Sequence, residues 1–191
     1  MDPSVTDTVI ERSRRGESGA FRLLVERYQG YAYALAFRLV CDEEAAKDVV
    51  QESFIRVWKH LPEYRPTMKF TTWMYRIVVN LSYDRLKTDR RRNRLMRNER
   101  EVEGYAEVAD PASAEQQITN HDLAERITFL AAGLPVTQRL VFTLRDLNDL
   151  SVRETADILA ISGESVKANL CYARRAIRKR LEQLDVIREY P

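Results

Sequence analysis

The 191-residue chain has few of the residues that staple or break a fold: two cysteines, six glycines and six prolines. The thiols, Cys41 and Cys171, have no CxxC spacing and no nearby histidine, which excludes a disulfide-built secreted scaffold and a cysteine–histidine zinc site. Glycine and proline together make about 6% of the chain, roughly half their usual share, which favours helices over turn-rich β architectures. No apolar stretch approaches the roughly 18 uncharged residues of a membrane span. The acidic N-terminus has no apolar core, so it does not read as a signal peptide. These absences predict a soluble cytoplasmic protein. A net charge is nearly missing too: 31 Lys+Arg against 29 Asp+Glu leave +2, which as a total argues against a nucleic-acid partner.

What is present changes that reading. With 45% hydrophobic residues the chain can build a core, and its length fits one or two domains. Its charges are segregated. Residues 85–100 carry eight Lys/Arg and two acids, residues 101–125 carry seven acids and no Lys or Arg, and residues 167–180 carry six basic residues and no acid. The acidic stretch contains Gly104, Asp110-Pro111 and few large apolar residues, the composition of a flexible linker. The predicted organisation is an N-terminal domain over 1–95, a linker over 96–113 and a C-terminal domain over 114–191.

Apolar residues recur at three- and four-residue steps, and no alternating strand pattern of useful length occurs, so the fold class is all-α. Four helices are predicted in each half. In the first half they lie near Thr6–Arg15 (ended by Gly16), Glu17–Val40, a third opened by Asp42 as N-cap, and a fourth from about Thr71. The third has Val50, Phe54, Val57, Trp58 and Leu61 as its core stripe and stops at Pro62; the fourth has Met74, Ile77, Val78 and Leu81. In the second half, Ala114–Ala132 ends at Gly133, and a helix with Pro135 at its first position buries Leu140, Val141, Leu144 and Leu147. Ser151 and Glu154 form a capping box for a short helix to Leu159, and Ser162 caps a long last helix whose face is Val166, Leu170, Ala173, Ile177, Leu181 and Leu184.

The last two helices make a helix-turn-helix, which places its second helix in the DNA major groove. Opposite the apolar face stand Ala168, Cys171, Tyr172, Arg175 and Lys179, flanked by Lys167 and Arg178. The bland alternative is a helical hairpin with a solvated basic face. On the fourth helix, Arg76, Asn80, Tyr83 and Lys87 align with Asp84 beside them, followed by Arg90 and Arg91. Cations for phosphates, a ring for stacking and an amide for base reading suit single-stranded or distorted DNA, and a solvated basic face is the competing reading. Asp48, Gln51, Glu52 and Arg56 form a polar set on the third helix that fits solvation or protein docking. No nucleophile–base pair, phosphate loop or metal-ligand spacing is found, so no enzymatic activity, metal, cofactor or small-molecule substrate is expected.

The segments DEEAAKDVVQESFIRVWKHL from Asp42 and KFTTWMYRIVVNLSYDRLK from Lys69 resemble domain 2 of extracytoplasmic-function (ECF) bacterial sigma factors. The segment from Leu134 through Leu181 resembles their helix-turn-helix domain 4. The resemblance implies a subunit that binds core RNA polymerase, through the β′ clamp helices and the β flap, and directs it to promoter DNA. It implies polymerase docking by Asp48, Gln51 and Glu52. It also implies reading and melting of the minus-ten element by Arg76, Asn80 and Asp84, with Tyr83, Lys87, Arg90 and Arg91 alongside. Minus-thirty-five recognition falls to Lys167, Ala168, Cys171 and Tyr172, with Arg174 and Arg175 on phosphate. Such proteins are held inactive by an anti-sigma factor, often membrane-bound, which would sequester this chain at the inner membrane face; the regulon expected is a stress, envelope or metal response. Asn169 stands where the family has an arginine, and Cys171-Tyr172 replace its usual His/Phe-Arg pair. The alternative class is a regulator that binds duplex DNA through the helix-turn-helix without polymerase.

Overall fold

A computed structural model describes the backbone of residues 3–98 and 120–189, with side chains over 7–88 and 126–183. The described residues are helical with no strand among them: α1 (Pro3–Arg14), α2 (Ser18–Val40), α3 (Glu43–His60), α4 (Phe70–Asn98), α5 (Asn120–Ala132), α6 (Val136–Phe142), α7 (Val152–Leu159) and α8 (Gly163–Glu189). A 3-10 turn, Leu61–Glu63, follows α3, and a π-helical turn, Thr143–Leu147, extends α6. The predicted linker 96–113 overlaps α4 by three residues, and the rest of it lies outside the described residues, as do 114–119 of the predicted fifth helix.

The helix ends follow from local chemistry. Gly16 takes φ +86, a conformation open to glycine at little cost, and ends α1. Cys41 is left-handed at φ 53 and its N–H donates to the Phe37 carbonyl, ending α2. Asp42 accepts from the Ala45 N–H at 2.7 Å and starts α3. Ser151 and Glu154 close a capping box on α7. Ser162 accepts from the Ser165 N–H at 3.1 Å at the start of α8. Pro135 sits at the N-cap of α6, one position earlier than predicted.

In the N-terminal half, α2 packs on α1, α3 and α4. Ala20, Ala32 and Ala36 are buried among Leu24, Leu35 and Leu39, so neighbouring helices approach closely. Tyr28, Tyr64, Phe70 and Trp73 pack in tilted and edge-to-face pairs with centroids 5.1–5.8 Å apart and tie the start of α4 to α2. Two predicted stripes hold in part: Phe54, Val57 and Leu61 after Asp42, and Met74 and Val78 on α4, are buried as expected. On α3 the buried face is Ala45, Ala46, Val49, Ser53, Phe54 and Val57, while Val50 is half-buried and Trp58 is 37% exposed. On α4, Val79 and Ser82 are buried beside Met74 and Val78, and α7 packs on that helix in addition to α2 and α3.

That second contact joins the two halves. Leu140, Leu144 and Ile158 belong to the same apolar cluster as the N-terminal core, with Val136, Leu150 and Leu159 packed against it. A separate C-terminal cluster holds Ala131, Leu134, Val141, Phe142, Val166, Leu170, Ala173 and Ile177. Polar groups line the seam. Arg38 donates to the Leu147 carbonyl at 2.6 Å and the Asn148 side chain at 2.9 Å; Lys69 meets Glu154 at 2.9 Å; Arg139, 5% exposed, lies 3.1 Å from the Cys41 sulfur and 3.3 Å from the Ala132 carbonyl.

Candidate functional site

Three surfaces are built from different helices. On α4 the 3.6-residue repeat leaves one arc free of packing. Arg76, Asn80, Tyr83, Asp84 and Lys87 all lie exposed on it, side by side, as their spacing predicts. Tyr83 is 41% exposed, so its ring face is open to a stacking partner. The backbone of Arg90 and Arg91 continues α4; their side chains lie outside those described.

On α8 the buried residues Val166, Leu170, Ala173 and Ile177 turn Lys167, Ala168, Cys171, Tyr172 and Arg175 to solvent, Tyr172 being 61% exposed. Asn169 does not join them. Its amide donates back to the Ser165 carbonyl at 2.8 Å and the Ser165 hydroxyl at 3.3 Å, so it is satisfied on its own helix. Arg174 is exposed but occupied: Nε and Nη2 donate to the two oxygens of Asp146 at 2.8 and 2.7 Å. That paired carboxylate raises the arginine pKa above its ordinary value.

On α3, Asp48 and Gln51 are exposed and Glu52 is half-buried, with its carboxylate 3.0 Å from Arg56 one turn on. Gln51 borders an open apolar groove of about 950 Å³ between α2 and α3, floored by Phe21, Val25, Tyr33, Val50, Phe54 and Trp58. Phe21 meets Trp58 with centroids 4.8 Å apart. The groove's rim includes Gln51, Lys47 and Lys59, and an open apolar trough of this kind suits an amphipathic helix. Sequence reasoning missed this trough because it assigned Trp58 to the core. The structure marks it by leaving Ile55, 41% exposed, and Trp58, 37% exposed, along its edge. It also missed Asp146 and Arg139, which act across 28 and 98 residues of sequence.

Two family models match the chain: Sigma-70 region 2 over residues 24–92 and Sigma-70, region 4 over residues 124–177. The chain is 31% identical over 179 residues to the ECF RNA polymerase sigma factor SigW of Bacillus subtilis, covering 92% of this chain and 96% of that protein. It is 33% identical over 189 residues to the ECF RNA polymerase sigma-E factor of Salmonella typhimurium strain LT2, covering 96% and 98%. Among solved structures, CnrH in complex with the cytosolic domain of CnrY matches with a TM-score of 0.66 and 25% identity, covering 92% of this chain and 96% of that one. Two helical regions in this order, with relatives above 30% identity along their whole length, give one conclusion: the chain belongs to the ECF group of sigma-70 RNA polymerase sigma factors.

Proposed function

We propose that this sigma factor engages polymerase through α3 and promoter DNA through α4 and α8, with residues 1–95 and 114–191 as its two working domains. The observation that carries the reading is the simultaneous exposure of three chemically distinct surfaces on three helices. Asp48, Gln51 and Glu52 dock the β′ clamp helices: the acids on α3 attract basic residues, and the apolar trough that Gln51 borders covers apolar ones. On α4, Asn80 and Asp84 offer hydrogen bonds to the edge of an unstacked base and Tyr83 offers a ring face. Arg76, Lys87, Arg90 and Arg91 neutralise the phosphates beside it. A base held there is removed from the duplex, which is the melting step at the minus-ten element.

The last helix reads the minus-thirty-five element as duplex. Lys167, Ala168, Cys171 and Tyr172 face the base edges, and Arg174 and Arg175 meet phosphates and fix the register. With Asn169 turned inward, this surface has one cation fewer than the family pattern, so its base preference differs. The protein supplies binding and DNA distortion, and bond formation belongs to the polymerase. An anti-sigma factor holds the free protein inactive, a reading supported by the CnrH–CnrY complex. No helix among the described residues is long and apolar enough to cross a membrane, so any retention at the inner membrane face comes from that inhibitor.

The test is transcription in vitro with purified core polymerase and a promoter library. Open complexes that form only when the protein is added support the reading. Tight duplex binding by the protein alone, with no rescue of initiation by core, would overturn it in favour of a polymerase-independent regulator.

A further inference from the structure

Asp146 lies in the π-helical turn Thr143–Leu147, outside every surface assigned above, yet both its oxygens are used by one residue of the recognition helix. We infer that Asp146 is a positioning residue for promoter binding: it holds the Arg174 guanidinium so that the remaining N–H groups face a phosphate of the minus-thirty-five duplex. The inference rests on the assignment of Arg174 to phosphate given above.

The geometry separates front from back. Asp146 is 21% exposed and Arg174 57% exposed, so the acid sits behind and the guanidinium stands in front. Of the five donors on the fork, the Nε–H and one Nη2–H are directed at Asp146, which leaves the Nη1 edge facing outward. Arg174 lies on the row Lys167, Cys171, Arg174, Arg178 at the edge of the exposed arc, where a helix in the major groove passes a phosphate strand. An unheld arginine on that row samples many rotamers and loses that freedom on binding; a fork fixed at its Nε side has lost it already.

The platform beneath Asp146 is itself fixed. The Asn148 amide donates to the Thr143 carbonyl at 2.7 Å, Leu150 N–H donates to the Leu144 carbonyl at 3.0 Å, Arg145 donates to the Leu150 carbonyl, and Arg38 clamps the Leu147 carbonyl. π turns interrupt the ordinary helical register and recur at functional positions. A strut is not needed here, because Val141 and Phe142 already pack on Val166, Leu170, Ala173 and Ile177, and exposed ion pairs add little to stability.

The experiment is equilibrium binding of reconstituted holoenzyme to a promoter fragment over a salt series, with thermal unfolding of each free variant. Arg174→Ala is expected to weaken binding about tenfold and to lower the log–log salt slope by about one. Asp146→Ala should weaken it about 3–10-fold with unchanged thermal midpoint, and Asp146→Asn, which keeps one acceptor oxygen, should weaken it less. In the Arg174→Ala background Asp146→Ala should have no further effect. Tighter binding by Asp146→Ala, additive losses in the double variant, or a loss matched by a lowered thermal midpoint would each overturn the positioning role. Weakening by Arg174→Ala without any by Asp146→Ala overturns that role alone. An unchanged affinity for Arg174→Ala overturns the phosphate assignment and the positioning role together.

Discussion

Glu154 divides its carboxylate between two tasks. Oε2 accepts from the Ser151 backbone N–H at 3.0 Å and from its hydroxyl at 2.8 Å, closing the cap of α7, while Oε1 meets the Lys69 ammonium at 2.9 Å. The Ser151 backbone N–H is the main cause of a pKa lowered from 4.5 to about 2, with Lys69 and the Ser151 hydroxyl adding to it. A carboxyl lowered in the folded state stabilises fully above its unfolded value, and the contribution is lost as pH falls from 4.5 toward 2. Glu154→Ala should cost about 1–2 kcal/mol at pH 7 in urea unfolding, with the difference from the parent shrinking below pH 4.5. At the reading surface, Asn80→Ala should reduce open-complex formation by about tenfold or more and leave core affinity unchanged, as judged by permanganate footprinting beside a core-binding titration. Glu52→Lys, which reverses a charge on the proposed docking face of α3, should weaken core affinity itself about tenfold; unchanged affinity would remove Glu52 from the docking surface. Every residue proposed to read DNA whose side chain is described is exposed, because exposure on a helix follows directly from the 3.6-residue repeat. The partners that cross the fold, Asp146 for Arg174 and Arg139 for Cys41, leave no local trace in the sequence.

At the scale of single helices, the caps were legible and the buried stripes less so. Asp42, Ser151 and Ser162 cap as read, since each acts within three residues of itself. The α3 stripe holds at Phe54, Val57 and Leu61 and fails at Trp58, which matches the apolar period yet lines the α2–α3 groove instead of filling the core. On α4, Val79 falls outside the predicted stripe and is buried at 1%, in the cluster that also holds Ile158 of the other half. The π turn was unreadable, since its extra residue gives no compositional sign. These distinctions have measurable consequences. Leu35→Ala, in the centre of α2 at 0% exposure, should destabilise the protein by about 2–5 kcal/mol in chemical denaturation. Trp58→Ala should cost about 1 kcal/mol, the loss of its contact with Phe21, and act mainly by weakening core binding in a direct titration.

For the whole molecule, the closed seam sets a geometric condition. A compact chain of this length has a radius of gyration near 16 Å. Elements centred at minus ten and minus thirty-five lie about 25 base pairs apart, roughly 85 Å along duplex DNA. In the roles proposed for them, α4 and α8 cannot reach both while Ile158, 1% exposed, stays in the N-terminal cluster. The seam is polar enough to part: Lys69–Glu154 is solvent-facing, with side chains 76% and 23% exposed, and Arg38 makes its bonds to a turn. Ile158→Asp should therefore open the free protein, raising the radius of gyration in small-angle scattering by several ångströms while the far-ultraviolet helical signal stays near the parent's.

Cys41 turns that seam into its own gauge. Its sulfur lies against the buried Arg139 of the opposite half, and burial pushes its thiol pKa up, with Arg139 opposing. Cys171 stands exposed on α8. Cys41 is half-buried, so a maleimide pulse should label Cys171 faster and Cys41 at a rate that rises as the seam opens, and the ratio of the two adducts reports domain separation. In Ile158→Asp, or on addition of core polymerase, the slow adduct should overtake its parent rate; equal slow labelling in all three would mean the seam never parts. The two thiols that exclude a secreted scaffold serve as a matched pair of chemical probes, one timing the hinge and the other calibrating the reagent.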